Sequence, residues 1–439
     1  MSLLKLYRLA TIAATPFAGA LLEWRARLGK EDPVRLAERM GESHRPRPRG
    51  RLVWLHGASL GESLSLLPLI DRFVQRGLNV LVTSGTVSSA HVLSARLPAG
   101  ALHQYAPLDA PRFVERFLDH WRPDIAVFAE SELWPNIVAA VRARGAPLVL
   151  ANARISRRSA ERWRAIPGAA KSVFGAIDLC LAQDSDNAAR FLALGARCVR
   201  IAGNLKFDVP PPPVDSAKLA EFNGAIGARP AWAAVSTHPG EEEIVLDAHL
   251  QIAAQSPTLL TIIAPRHWER AVEIVEAARA RGLTAALRSQ ESEPRRDVDV
   301  YVVDSIGELG LVFRSVGVVL MGKSLLPGGG QNPIEPAKLG CAILHGPHVE
   351  NFTEVYGELA AAKAAARVTD AASVARAAHY LLTEPARMRK MGRAAAETVE
   401  RLGGASRGIM SAVEPYLAQM AVAQQGAPRP PPTRARCMH

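Results

Sequence analysis

Several carboxylates and cations in this chain sit where a short apolar segment gives way to a turn. Glu62 lies in HGASLGE, directly after the apolar residues 52–56 and at the opening of a helical pattern. A carboxylate at the carboxyl edge of a sheet can draw a proton from an attacking hydroxyl. A lone Glu in a first helical turn also serves simply to complement the helix dipole. Glu130 and Glu132 flank Ser131 in FAESELWPN, again just after an apolar run. Alternate side chains of extended chain point the same way, so this pair could bind a metal, steer a nucleophile or polarise a neighbouring carboxylate. Equally, one of the two could cap the helix that follows.

Cations recur at similar places. Arg266 in APRH follows the apolar run TLLTIIA and suits bidentate contact with phosphate or carboxylate. Ile306, Gly307 and Glu308 follow VDVYVVD and Ser305, where they could open a helix. Lys206, in GNLKFD, precedes a run of four prolines and is placed to cross between domains. Asp297 and Asp299 have metal-like spacing, but they start a strand pattern, where exposed charges are ordinary.

The most informative single stretch is residues 320–352, LMGKSLLPGGGQNPIEPAKLGCAILHGPHVENF. Gly328, Gly329 and Gly330 separate a buried strand from a helix for which Asn332 is a plausible cap and Pro333 the first residue. Glycines there let the backbone approach a ligand, and a helix N-terminus favours an anion. Glu335, three residues into the helix, could reach the hydroxyls of an attached sugar. The arrangement resembles the nucleotide-sugar corner of a two-domain glycosyltransferase. A flexible Gly-rich turn with Glu335 in a capping box is the plainer alternative.

These residues need strands to position them. Short apolar runs at 52–56, 79–83, 124–129, 147–150, 179–183 and 199–203 alternate with helical patterns at 62–76, 111–120 and 135–144. After Pro210–Pro213, a stiff extended connector, the alternation restarts at 232–236, 259–264, 298–303, 316–321 and 342–344. Strands alternating with helices imply parallel sheets covered on both faces. The fold class expected is α/β, with two Rossmann-like doubly wound domains facing each other across a cleft. The expected divisions are 1–30, an anchor or interfacial helix; 31–209, an N-terminal domain; 210–216, the proline linker; 217–425, a C-terminal domain with terminal helices; and 426–439, a disordered Pro- and Arg-rich tail.

Composition narrows the partners. With 53 Lys and Arg against 42 Asp and Glu, the formal net charge of +11 favours anionic partners without choosing among nucleic acid, phospholipid and phosphorylated substrate. Cys180, Cys198, Cys341 and Cys437 lack the spacing of a disulfide framework or a zinc site, which fits a reducing compartment. Residues 9–22, LATIAATPFAGALL, form an uncharged run of 14 flanked by Lys5, Arg8, Arg25, Arg27 and Lys30. The run falls short of the ~20 residues of a spanning helix, and Pro16 interrupts it. It reads as a short membrane anchor or an interfacial helix on an anionic surface, the alternative being a soluble helix docked on its own domain.

Taken together, HGASLGE, FAESELWPN, ANARISRRS, GNLKFD, STHPGEEE, APRH, SIGEL, PGGGQNPIEP and GPHVENF resemble the 3-deoxy-D-manno-octulosonic acid (Kdo) transferases of Gram-negative lipopolysaccharide synthesis, glycosyltransferase family 30, over nearly the whole chain. The resemblance implies a GT-B fold. It also implies transfer of Kdo from CMP-Kdo to the tetraacylated disaccharide precursor of lipid A, at the cytoplasmic side of the cell inner membrane. By the same resemblance Glu62 is the general base, and Glu130 and Lys206 stabilise the transition state. CMP-Kdo contacts carry over to Pro265, Arg266, Ile306, Gly307, Glu308, Asn332, Pro333, Ile334 and Glu335. In-line attack by an acceptor activated by Glu62 predicts inversion. No metal or other cofactor is expected, since CMP is already a good leaving group and Arg266, Lys206 and a helix N-terminus can neutralise its phosphate.

The chain departs from the family pattern in three places. Gln331 stands where the family usually has His, Met321-Gly322 where it has two glycines, and residues 84–89 match its Thr-rich loop only loosely. A GT-B enzyme using a UDP-sugar would share the fold and Glu335 without needing the ELWPN and LKFD stretches. A basic nucleic-acid-binding protein would explain the charge, but no aromatic-basic RNA signature or recognition helix is visible, so nucleic acid is not expected as a partner.

Overall fold

The computed structural model describes residues 3–423 and divides into two α/β units, one reaching to Val209 and resuming at Gly403, the other spanning Pro210–Leu402. The first unit is built on a seven-stranded sheet, ordered β3-β2-β1-β4-β5-β6-β7, in which every pairing is parallel. Its strands are β1 (Leu52–His56), β2 (Asn79–Ser84), β3 (Ala101–Tyr105), β4 (Ile125–Ala129), β5 (Leu148–Ala153), β6 (Leu179–Ala182) and β7 (Val199–Ile201). Both faces are covered, which is why β1 and β4 read as unbroken apolar runs. Trp54, Phe117 and Phe128 fill one side with centroids 4.8 and 4.9 Å apart, while Val53, Leu55 and Phe73 fill the other.

Order reverses between β1 and β4, so the residues after these two strands stand at the switch point where open α/β sheets bind ligands. The helix expected over 62–76 is two helices, Leu60–Ser65 and Leu67–Gln75. Pro68 sits in the first turn of the second helix and cannot donate the hydrogen bond that would join them.

The second unit repeats the plan. Its strands are β8 (Ala231–Thr237), β9 (Leu260–Pro265), β10 (Ala285–Leu287), β11 (Val300–Val302), β12 (Val318–Met321), β13 (Ala342–His345) and β14 (Ala365–Arg367), ordered β10-β11-β9-β8-β12-β13-β14 and all parallel. The switch point lies between β8 and β12, so the Gly-rich stretch after β12 arises there. The proline run packs on the helix Leu309–Ser315: Pro212 O accepts a 2.7 Å bond from Arg314 Nη1, and a Cβ at Gly310 would lie 2.3 Å from Pro213 O.

One expected boundary is corrected. The last helix, Ala405–Ala423, belongs to the first unit, not to a C-terminal domain running to 425. Ile409, Met410, Val413, Tyr416 and Leu417 bury against the sheet face that holds Leu55 and Val127. Asp208 fixes its start by accepting from Gly404 N at 2.6 Å and Ser406 N at 2.5 Å. The tail expected from 426 onward lies outside the described residues.

No described helix is long and apolar enough to cross a membrane. The N-terminal run forms the helices Leu3–Ala14 and Ala18–Arg27 around a single 3-10 turn that contains Pro16. Tyr7 OH donates to Asp109 Oδ2 at 2.9 Å, Asn136 Nδ2 donates to Thr11 Oγ1 at 3.0 Å, and Ala18 and Leu22 are buried. The opposite side leaves Leu3, Leu6, Leu9, Phe17, Leu21, Trp24 and Leu28 exposed.

Candidate active site

Glu62 is held at the start of the helix Leu60–Ser65 by a reciprocal cap. Ser59 Oγ accepts from Glu62 N, Ser59 Oγ donates to Glu62 Oε1 at 2.7 Å, and Ala58 N donates to Glu62 Oε2 at 2.9 Å. Gly57 makes room for this turn: a Cβ there would lie 2.9 Å from Ser63 N. The capping alternative and the base are therefore compatible. Each carboxylate oxygen still has a lone pair to spare after one hydrogen bond. Burial raises the Glu62 pKa above 4.5, the negative charge of Glu130 adds to it, and the Ser59 and Ala58 hydrogen bonds and Lys206 hold it back.

Glu130 follows β4 in the left-handed region, φ 53°, a conformation uncommon for a non-glycine residue. Its amide donates to Ala151 O at 3.0 Å and its carbonyl accepts from Arg154 N at 3.4 Å, so it is clamped along the end of β5. The carboxylate meets Lys206 Nζ at 3.1 Å, both side chains being about four-fifths buried (22% and 18% exposed). Lys206 is presented by the 3-10 turn Leu205–Phe207, whose opening Asn204 caps through Lys206 N. Glu132 is pushed up to about 7 by burial first and by the charge of Glu62 next. Glu62, Glu130, Glu132 and Lys206 thus form one electrostatically coupled group at the switch point of the first unit. Glu132 was legible as Glu130's neighbour in the sequence, but its link to Glu62 was not.

In the second unit Pro265 ends β9, and Arg266 N donates to Thr237 O at 3.0 Å, leaving the exposed guanidinium just beyond β8. Ile306 is exposed and Gly307 takes φ 93°. Glu308 is already committed: Arg288 donates to it from Nε at 2.5 Å and Nη2 at 3.3 Å, which turns its carboxylate toward a cation of its own unit. The helix near Asn332 starts one residue later than expected. It runs Ile334–Lys338 with Pro333 preceding it, and Asn332 Oδ1 accepts from Ile334 N at 3.1 Å. At five residues its dipole is small, and its first amide is already bonded to Asn332. The loop geometry, rather than a helix N-terminus, defines this corner. Glu335 lies in the first turn of that helix.

The residue that shapes the corner is one the sequence reading passed over. Glu241, from STHPGEEE and 1% exposed, accepts from His238 N and Lys323 N with Oε2 and from Ser324 N and Leu325 N with Oε1, at 2.6–2.9 Å. Four backbone donors on one carboxylate pin the chain after β12 to the chain after β8. The signal was a Glu that opens a helix next to another strand end. Gln331 Nε2 lies 3.2 Å from His238 Nε2, a ring whose pKa is lowered by burial first and by the Lys323 charge next. The departure at Met321-Gly322 is also explained. Met321 is an ordinary buried strand position paired with Val235 and His345, whereas a Cβ at Gly322 would lie 2.3 Å from Ser236 O.

Comparison with known proteins gives the family and the fold. A family model described as 3-Deoxy-D-manno-octulosonic-acid transferase (kdotransferase) matches residues 34–209. A probable mitochondrial 3-deoxy-D-manno-octulosonic acid transferase of Arabidopsis thaliana is 33% identical over 411 residues, 91% of this chain and 92% of the relative. The 3-deoxy-D-manno-octulosonic acid transferase of Bordetella pertussis is 35% identical over 381 residues, 85% of this chain and 89% of that one. A solved glycosyltransferase from Rickettsia africae, 12% identical, superposes with a TM-score of 0.56 over 84% of this chain and 99% of its own, which supports a GT-B fold. The chain belongs to the 3-deoxy-D-manno-octulosonic acid (Kdo) transferase family and is a glycosyltransferase of lipopolysaccharide synthesis.

Proposed function

We propose that this enzyme transfers Kdo from CMP-Kdo to the tetraacylated disaccharide precursor of lipid A, with inversion at the anomeric carbon and Glu62 as general base. The observation that carries the reading is the coupled group of Glu62, Glu130 and Lys206 at the switch point of the first unit. Burial keeps Glu62 more basic than an exposed carboxylate, which suits a group that must accept a proton from a sugar hydroxyl as that hydroxyl attacks. Lys206 offers a cation next to a partly buried carboxylate, where charge developing in the transition state is worth more than in water. Glu130 holds that cation in place.

CMP recognition falls to Pro265, Arg266, Ile306, Gly307, Glu308, Asn332, Pro333, Ile334 and Glu335. Arg266 supplies the forked donor for phosphate, and Glu335 the acceptor for a sugar hydroxyl. Glu308, bonded to Arg288, contributes through its backbone at the Gly307 turn. The enzyme works on the cytoplasmic side of an anionic inner membrane, where the exposed apolar side of the N-terminal helices and their flanking Lys5, Arg8, Arg25, Arg27 and Lys30 are suited to lie.

A mass-resolved transfer assay with CMP-Kdo generated in situ and lipid A precursor tests this, comparing the native chain with Glu62→Gln. Kdo additions in the native sample alone support both the reaction and the base. A folded native chain that releases no CMP overturns the substrate assignment, and a fully active Glu62→Gln overturns only the base.

A further inference from the structure

Asn152 is the penultimate residue of β5, inside the ANARIS stretch, is 0% exposed, and takes the left-handed backbone at φ 52°. The β5–β6 register slips between Leu150 and Ala153, so this residue sits in an irregularity and not in the regular ladder. The slip frees its side chain to leave the sheet. Asn152 Oδ1 accepts from Leu205 N at 2.9 Å, and its carbonyl accepts from Gln183 Nε2 at 3.2 Å. Its amide Nδ2 is buried without a partner. Buried side-chain donors are nearly always satisfied, so one left unmet on a left-handed residue that neighbours the left-handed Glu130 calls for a reason other than folding.

The contacts supply one. Leu205 opens the 3-10 turn whose next residue is Lys206, and Lys206 Nζ bonds Glu130. Glu130 is itself fastened by its backbone to Ala151 and Arg154, on either side of Asn152. Both ends of the Glu130–Lys206 pair are therefore referred to one irregular turn of β5: Glu130 through the backbone and Lys206 through the Asn152 side chain. We infer that Asn152 is a positioning residue, setting the place of the Lys206 ammonium against the Glu130 carboxylate. The inference rests on the role proposed above for Lys206. A catalytic group displaced by about 1 Å loses on the order of a hundredfold in rate, so the contact is expected to be felt in turnover.

Asn152→Gly tests it, because glycine keeps the left-handed backbone at no steric cost and deletes only the side chain. Rates are measured with radiolabelled CMP-Kdo for the native enzyme, Asn152→Gly, Lys206→Met and the double variant, with circular dichroism as a folding control. The expected result is a fall in kcat of about 30- to 100-fold for Asn152→Gly, a KM for the donor within about threefold, and no further loss when Asn152→Gly is added to Lys206→Met. Asn152→Asp, which keeps the acceptor oxygen, should recover at least about tenfold over Gly. If Asn152→Gly does not fold, Asn152→Ser, too short to reach Leu205 N, runs the same cycle. Unchanged kcat, or a loss of equal size in the Lys206→Met background, overturns the inference. A Lys206→Met variant with native kcat overturns the reading of Lys206 itself, and that result is visible before the cycle is completed.

Discussion

Lys206 Nζ lies 3.1 Å from Glu130 Oε1, although the two residues are 76 positions apart in the chain. The pair joins the end of β4 to the 3-10 turn Leu205–Phe207, and Glu62, in the helix that follows β1, feels both charges. Breaking it should therefore cost both catalysis and stability. Lys206→Met is expected to lower kcat by roughly 10²–10³, and the melting temperature falls as well, because removing one partner of a mostly buried pair leaves the Glu130 charge uncompensated. A folded Lys206→Met variant with native kcat would contradict this assignment.

The raised pKa of Glu62 sets the acid side of the rate profile. A base must be ionised, so kcat/KM should climb through a pKa above the ordinary 4.5 and flatten once Glu62 is charged. A profile whose acid limb sits at or below the ordinary value, measured with a saturating acceptor, would remove Glu62 from that role.

Glu132 carries a stability signature of its own. Its pKa is raised from 4.5 to about 7, so the folded state holds a proton that the unfolded state has released between those values. The native contribution is complete below about 4.5 and is lost as pH rises through about 7. Glu132→Gln should flatten that decline in urea melts taken from pH 5 to pH 8; an unchanged slope would place the titration elsewhere.

Glu241 should behave as a structural clamp of the second unit. Glu241→Ala strands four backbone donors, His238 N, Lys323 N, Ser324 N and Leu325 N, and is expected to cost at least about 3 kcal/mol. Glu241→Gln keeps one acceptor oxygen and should cost less. Thermal melts that leave Ala and native alike would show that the loop finds other partners.

The N-terminal helices should hold the enzyme to anionic vesicles. Leu6 and Trp24 are 53% and 57% exposed, so Leu6→Glu and Trp24→Glu spare the core. Each should weaken co-sedimentation with phosphatidylglycerol vesicles about tenfold or more, the loss of ~1.5–3 kcal/mol of apolar burial. A native chain that stays in the supernatant at low salt would refute membrane docking by this surface.

The sequence by itself determined the elements and the chemistry at their ends. Apolar runs bounded by turn residues located the central strands, because strands buried on both faces have to be apolar throughout. Of the four edge strands only β7 was read; β3, β10 and β14 went unread, being three to five residues long with no extended apolar run to mark them. Glu62, Glu130, Lys206 and Arg266 are each ordinary where they stand, and were visible through their shared placement at strand ends and the motifs around them. Only the tertiary structure decided which of them meet. Strand order brings the ends of β1 and β4 together, sends the last helix back to the first sheet, pairs Glu308 with Arg288, and gathers four amides around Glu241. Apart from the local His238–Glu241 bond, those partnerships join residues tens of positions apart, and a side chain's hydrogen-bonding partner is fixed by distance in space, which no local pattern of residue types encodes.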